Sequence, residues 1–398
     1  MAYRKGHNNY GTSLQGYALL QVLRQLGCDV EIFDYVKRPN FKQKVEWVVN
    51  AIRVGEKNVL YRRLINKGGH NQSKNVENFA LRTKAVDAYK EKKFQASFER
   101  YVGYEDLCNG SRKYDVVMVG SDQVWTPMGL PSKFFNLLFV DDSVRKIAYA
   151  SSFGVSEIPE FQKEQTGHYL DRFYKIGVRE QRGKEIVESL SRQTAQVVAD
   201  PTLLLTREEW KREFCEDISV SSAGNRERAE KGGYIFCYFL GTNPDARKAA
   251  QALKEQTGLK IIAIRHMDEF VEADEQFGDE APYAVDPNDF VRYIAHADYV
   301  CTDSFHCTVF SIIFHRRFMT FYRFAQASKT GRNSRIDSLF QVVSIPRCHI
   351  YQGDISAITD PIEWDKTDLR LSELRERSLQ FLQDALKCYS LSNKHRHV

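Results

Sequence analysis

The sequence predicts an α/β fold of two doubly wound, Rossmann-like lobes facing each other across a cleft, and three observations lead there. Short apolar runs that stop at glycine or a polar residue alternate with helical patterns along most of the chain, which is the grammar of parallel sheets. At 398 residues the chain is too long for one ordinary core. The alternation is interrupted after residue 206, where Thr206 to Gly233 holds only short apolar patches. The expected lobes are therefore 1–205 and 206–398.

In the first lobe, GTSLQGYALLQVLRQLG sets Leu14, Tyr17, Ala18, Val22, Leu23 and Leu26 at helical spacing, and Gly27 ends the run. The loop HNNYG feeds this helix and CDVEIFDY follows as a strand. Only MAYRK precedes the loop, so the first strand is expected to be very short or cut off. Residues 37 to 113 are basic, dotted with aromatics and helical in pattern, and are expected to form an insertion. YDVVMVGSDQVW then reads as a buried strand, Asp115 to Val119, stopped by Gly120. It delivers Ser121, Asp122 and Gln123 to the carboxyl edge, where open α/β sheets bind ligands. KIAYASSFG repeats the pattern, YKIGVREQ leaves Arg179 and Glu180 just past a third strand, and QVVADPTLLL is a fourth, broken at Asp200-Pro201.

The second lobe opens with YIFCYFLG as strand, Pro244 to Gly258 as helix and KIIAIRH as strand. PNDFVRYIAHA is a helix with Asn288 or Asp289 as its expected cap, and Tyr299 to Thr302 is the strand that leads into a helix from Phe305. RFMTFYRF is a further strand, NSRIDSLFQVV opens another helix, and a last helix is expected at about 371–388.

Hydrophobic content of 42% with 27% charged residues fits a globular protein, and no segment approaches the roughly 18 apolar residues of a membrane span. MAYRKGHNNYG has no apolar run, so a cytoplasmic location is the expectation. Eight cysteines without a CxxC pair read as reduced core fillers, and no metal is expected. The net charge of +5 is unevenly placed, since residues 37–113 hold 18 Lys/Arg against 8 Asp/Glu. That excess is either a solvated helical face or a surface that meets anions. No nucleic-acid motif accompanies it, and GxGxxG, GxxxxGK[ST] and HExxH are all lacking.

Within CTDSFHCTVFSIIF, Asp303 or Ser304 caps a helix whose first turn holds His306, at the sheet's carboxyl edge and in the expected cleft. The free amides of that turn favour a phosphate or carboxylate. A histidine that only bonds a neighbouring carbonyl is the plain alternative. Cys301 and Cys307 fit packing better than chemistry. Arg179, Arg323, Arg332 and Arg335 stand at strand or loop ends, where forked donors suit anions. Asp122 and Gln123, with Trp125 nearby, suit a sugar.

NNYGTSLQGYALLQVLRQLG, YDVVMVGSDQVW, IAYASSFG, VADPTLLL, DFVRYIAHADYVCTDSFHCTVFSIIF and NSRIDSLF, in that order, resemble the polysaccharide pyruvyl transferase family over nearly the whole chain. The resemblance implies a fold like the two-lobed GT-B glycosyltransferases, and transfer of a pyruvyl group from phosphoenolpyruvate to a sugar of a cell-surface glycan, commonly as a cyclic ketal. It maps the family's second-lobe histidine to His306 and its first-lobe arginine to Arg179, although Gly177 stands where a serine is frequent. The later family arginine is ambiguous between Arg323 and Arg335. On this reading Arg179, Arg323 or Arg335 and Ser304 with its helix amides hold the donor, and His306 is the general acid. Asp122 is a base or hydroxyl orienter, and Asn9, Tyr10, Ser121, Gln123 and Trp125 fall on the acceptor side. No cofactor is expected beyond phosphoenolpyruvate as donor substrate. If the glycan acceptor is linked to polyprenyl pyrophosphate, the basic 37–113 segment is expected to touch the inner face of the membrane. A GT-B nucleotide-sugar glycosyltransferase and a non-catalytic glycan-binding protein stand as alternatives.

Overall fold

The computed structural model describes residues 1–6, 8–55, 73–94, 97–215, 223–265, 271–323 and 333–387. They form two Rossmann-like α/β lobes, each built on a parallel sheet. The first contains β1 (Ile32–Val36), β2 (Phe98–Val102), β3 (Val116–Val119), β4 (Arg145–Ser151), β5 (Lys175–Val178) and β6 (Ala195–Val197). β1 pairs with β2, and β3 to β6 lie side by side in chain order. Ala2 joins the two parts, bridging in parallel to Phe33 on one side and Val119 on the other. The first strand thus survives as one bridge, with Ala2 N–H donating to Met118 O at 2.7 Å and Phe33 N–H to Met1 O at 3.0 Å.

The second sheet has the order β10-β9-β7-β8, from β7 (Tyr234–Tyr238), β8 (Lys260–Ala263), β9 (Tyr299–Thr302) and β10 (Arg317–Thr320). Every residue of β7 is buried, which is why YIFCY runs apolar without alternation. Cys237 of β7 and Cys301 of β9 face each other in register within this core.

Two helices tie the lobes together. Tyr10–Gln25, capped by Asn9 accepting from Thr12 N–H, is buried along most of its length. Its Tyr10 ring stacks on Phe290 of the second lobe at 4.6 Å, while Leu19 lies against Gly120 of the first. At the other end of the chain, Trp364–Leu386 returns to the first lobe: Phe381 packs on Tyr149 and on Gly177, and Ser378 Oγ accepts from Ala199 N–H at 2.9 Å. A Cβ on Gly177 would stand 3.0 Å from Val198 and 3.2 Å from the Phe381 ring, so a larger residue would require both side chains to give way.

The expected architecture needs four corrections. The 371–388 helix starts earlier, at Trp364, and is not confined to the second lobe: Trp364 stacks on His315 of the second at 4.3 Å, while Phe381 packs on Tyr149 of the first; residue 388 lies outside the described residues. The basic segment is only partly an insertion. It holds helices Phe41–Val54 and Ser73–Phe94, but Phe98–Val102 is a strand of the first sheet in register with β1, and 56–72 and 95–96 lie outside the described residues. The Pro287–His296 helix is capped by Asp286, which accepts from Asp289 N–H, because Pro287 takes the first helical position and moves the cap back. Finally, Tyr10 is a core residue, as its burial against Phe290 requires.

Candidate active site

Four strands of the first sheet and one of the second deliver polar residues to a single point between the lobes. From β3 come Ser121 and Asp122, from the end of β4 Ser152, from β5 Arg179 and Glu180, and from β6 Asp200. The helix Phe305–Ile313, capped by Ser304 Oγ accepting from Cys307 N–H, brings His306 across from the second lobe. Gly11 admits it: a Cβ there would lie 2.0 Å from His306 Nδ1, so only a bare backbone lets the imidazole approach.

Asp200 is the hub. Its Oδ2 accepts from Arg179 Nη1 at 2.9 Å and from Ser121 Oγ at 2.8 Å, and lies 3.5 Å from His306 Nε2. Its Oδ1 accepts from Thr202 N–H and Oγ1. Asp122 is equally engaged, Oδ2 with Thr12 Oγ1 at 2.9 Å and Oδ1 with Gln123 N–H at 2.8 Å. Its φ of 90° puts a non-glycine residue in the left-handed region, held there by a bridge to Ser151.

Burial alone would raise both aspartates, but the surrounding cations outweigh it. His306 and Arg179 hold Asp200 well below the carboxylate range, and Arg179, Arg4 and His306 do the same for Asp122. Glu180 moves the other way: burial pushes its carboxyl up despite Arg179, Ser152 Oγ at 2.6 Å and Arg335. Burial, then repulsion from Arg179, pushes Arg335 down to about 9. Arg179 and Arg335 both lie near the Phe305 ring, at 4.5 and 5.8 Å from its centre.

Several buried atoms at this point have no hydrogen-bond partner among the described residues: Arg179 Nε and Nη2, Glu180 Oε2, His306 Nε2 and Arg323 Nε. Buried polar atoms without a hydrogen bond are costly to keep, and the arginine donors among them suit the acceptors of a ligand. A small void lined by Thr12, Ser121 and Asp122 shares Tyr3, Arg4, Val124 and Phe135 with a cavity of about 1390 Å³ in the first lobe, whose walls also include Tyr35 and Trp47.

A family model described as polysaccharide pyruvyl transferase matches residues 9–323, from the loop before the first helix to Arg323. The chain belongs to the polysaccharide pyruvyl transferase family. No curated protein matches the sequence. Among solved structures, it is similar to a UDP-GlcNAc 2-epimerase from Neisseria meningitidis bound to UDP-GlcNAc, with 7% identity, coverage of 94% of this chain and 98% of that one, and a TM-score of 0.49. A UDP-N-acetylglucosamine 2-epimerase from Rickettsia bellii gives 10% identity, 93% coverage of each chain and a TM-score of 0.46. At these scores neither likeness carries an argument about chemistry.

For this family member, His306, Arg179, Arg335 and Asp122 do converge, whereas several other expected residues are occupied with structure. Ser304 Oγ serves as the helix cap and Asn9 Oδ1 caps the first helix. Ser121 is buried and spends its hydroxyl on Asp200, so it is a positioning residue and not a sugar contact. Trp125 is no stacking platform either: it packs among Phe153, Tyr169 and Phe173 and donates Nε1–H to Phe135 O. Gln123 is half-buried over Gly154. Arg323 reaches across Gly241 to Asp303, with Nη2 donating to Asp303 O at 3.2 Å. Arg332 lies outside the described residues. Asp122, held so far below its ordinary range, is a poor proton acceptor and fits orientation better than base catalysis. Sequence reading missed Asp200, taking it only as a strand breaker. Its place just past β6 is the same signal that singled out Arg179 just past β5.

Proposed function

We propose that this protein moves the pyruvyl group of phosphoenolpyruvate onto hydroxyls of a sugar in a cell-surface polysaccharide precursor, forming a ketal and releasing phosphate. The observation that carries this reading is the buried edge of Arg179, whose Nε and Nη2 make no hydrogen bond among the described residues, with the Arg335 cation beside it. Carboxylate or phosphate oxygens complete those donors bidentately.

In this reading His306 Nε2, buried and without a hydrogen-bond partner among the described residues, delivers a proton to the enol methylene. Asp200, 3.5 Å away, stabilises the imidazolium before transfer. The methylene becomes methyl and C2 becomes electrophilic. One sugar hydroxyl adds to C2 as its proton returns to the His306 imidazole, the C2–O bond to phosphate breaks, and a second hydroxyl adds and closes the ring, its proton leaving with the phosphate. Arg179 and Arg335 neutralise the phosphate as it leaves. Asp122 orients the attacking hydroxyl, and the acceptor lies in the large cavity, whose walls include Tyr35, Trp47 and Phe135.

Mass spectrometry of candidate glycans incubated with phosphoenolpyruvate tests the transfer: a gain of about 70 Da, pyruvic acid less water, is expected. Stabilisation of the protein by UDP or GDP but not by phosphoenolpyruvate would favour a nucleotide-sugar glycosyltransferase instead.

A further inference from the structure

The Phe41–Val54 helix turns its apolar side away from the protein. Phe41, Val45, Val49 and Ile52 are 82%, 44%, 46% and 57% exposed. At about 100° per residue they fall within roughly 80° of one another. The opposite side holds the buried residues Asn50 and Ala51. Asn50 Nδ2 donates to Pro127 O at 3.2 Å, and Asn50 Oδ1 accepts from Gln162 Nε2 at 2.6 Å. A helix that served only the domain core would show the reverse, polar out and apolar in. This one is also well terminated, by a reciprocal Asn40–Gln43 capping box and by Gly55 with φ of 83°.

Cations border the stripe. Lys42 and Arg53 follow it along one flank, Lys44 along the other, and Arg38 precedes it. The Arg53 guanidinium sits 3.8 Å from the centre of the Phe161 ring, and Phe161, itself 37% exposed, widens the apolar patch. On the next side of the same helix, Gln43, Lys44, Trp47 and Val48 line the large cavity.

We propose that this helix lies in the interfacial plane of an anionic bilayer, with Phe41, Val45, Val49 and Ile52 at the boundary of headgroups and acyl chains and Lys42, Lys44 and Arg38 against headgroup phosphates. Charge complementarity selects this occupant. A second copy meeting the patch across a two-fold axis would bring the same cations face to face, and one helix side offers far less than the roughly 1,000 Å² of a stable interface. Docking holds the cavity at the membrane surface, where a lipid-linked acceptor enters without leaving the bilayer. That last consequence rests on the cavity being the acceptor site; the docking itself does not.

Co-sedimentation of the full chain with phosphatidylcholine vesicles, with and without phosphatidylglycerol, tests the proposal. Binding to the anionic vesicles is expected, weakened by added salt and by Arg38→Glu with Lys42→Glu. Val45→Glu with Val49→Glu is expected to weaken binding at least tenfold, with circular dichroism, melting temperature and turnover on a water-soluble acceptor unchanged. Equal binding by the Val45→Glu, Val49→Glu variant and the parent, or no binding by the parent, overturns it. So does a dimer in analytical ultracentrifugation that this variant abolishes without any vesicle binding. Failure of pyruvyl transfer with intact vesicle binding would count against the proposed reaction and leave the docking standing.

Discussion

At the carboxyl edge of the first sheet, all four carboxylate oxygens of Asp200 and Asp122 are engaged by protein donors. The guanidinium that faces them is not: Arg179 spends one terminal nitrogen on Asp200 and leaves Nε, 3.9 Å from Glu180 Oε2, and Nη2 without a hydrogen bond among the described residues. The contrast is informative because the two groups share one dry cleft and carry opposite charge. Asp200 and Asp122 act as scaffolding, fixing the cation and the histidine, while Arg179 keeps two nitrogens and Glu180 one oxygen without a hydrogen bond among the described residues.

Substitutions can break that comparison, the strongest first. Arg179→Lys keeps the charge and loses the fork, so kcat/KM for phosphoenolpyruvate is expected to fall by about 10⁴-fold or more, two donors being lost at roughly 10²-fold or more each. A mild effect in steady-state kinetics would mean that the open edge is not where the donor binds. His306→Gln removes the proton donor while leaving the arginines, and turnover is expected to fall about a hundredfold or more. Thermal stabilisation by phosphoenolpyruvate should persist in that variant; its loss would move His306 from chemistry to binding. Gly11→Ala tests the scaffold alone, since the added methyl would stand 2.0 Å from His306 Nδ1. A drop in kcat of roughly tens of fold, with KM little changed, is the expected signature of a displaced acid.

The mildest perturbation is pH. Arg335, pushed down to about 9 by burial and by Arg179, must be charged to hold an anion, and a bound anion raises it again. A proton is therefore taken up on binding once the pH exceeds the free-site value. Affinity for phosphoenolpyruvate measured by calorimetry is expected to be level below pH 9 and to fall above it, by at most about tenfold per pH unit. Arg335→Ala should weaken binding at neutral pH and flatten that slope; an unchanged slope would assign the titration elsewhere.

Much of this was legible in one dimension. Strands such as YIFCY announce themselves because a parallel strand buried on both faces must be apolar throughout. His306 and Arg179 stood out because each follows a strand, at the edge where such sheets expose side chains. Trp125 misled for a related reason: an aromatic residue beside a polar loop reads as a platform, and only the packing of Phe153, Tyr169 and Phe173 shows that its faces are taken.

The sequence by itself determined the α/β class, the two sheets and the polar loops at their edges, since periodicity and strand ends are local properties of the chain. Tertiary structure alone decided that the final helix reaches back from the second lobe to the first, that Asp200 links Arg179 to His306, that Gly11 makes room for the imidazole, and that the Phe41–Val54 helix faces its apolar side outward. Each of these depends on which distant segment arrives opposite a given side chain, and that is set by the packing of the whole chain and not by spacing along it.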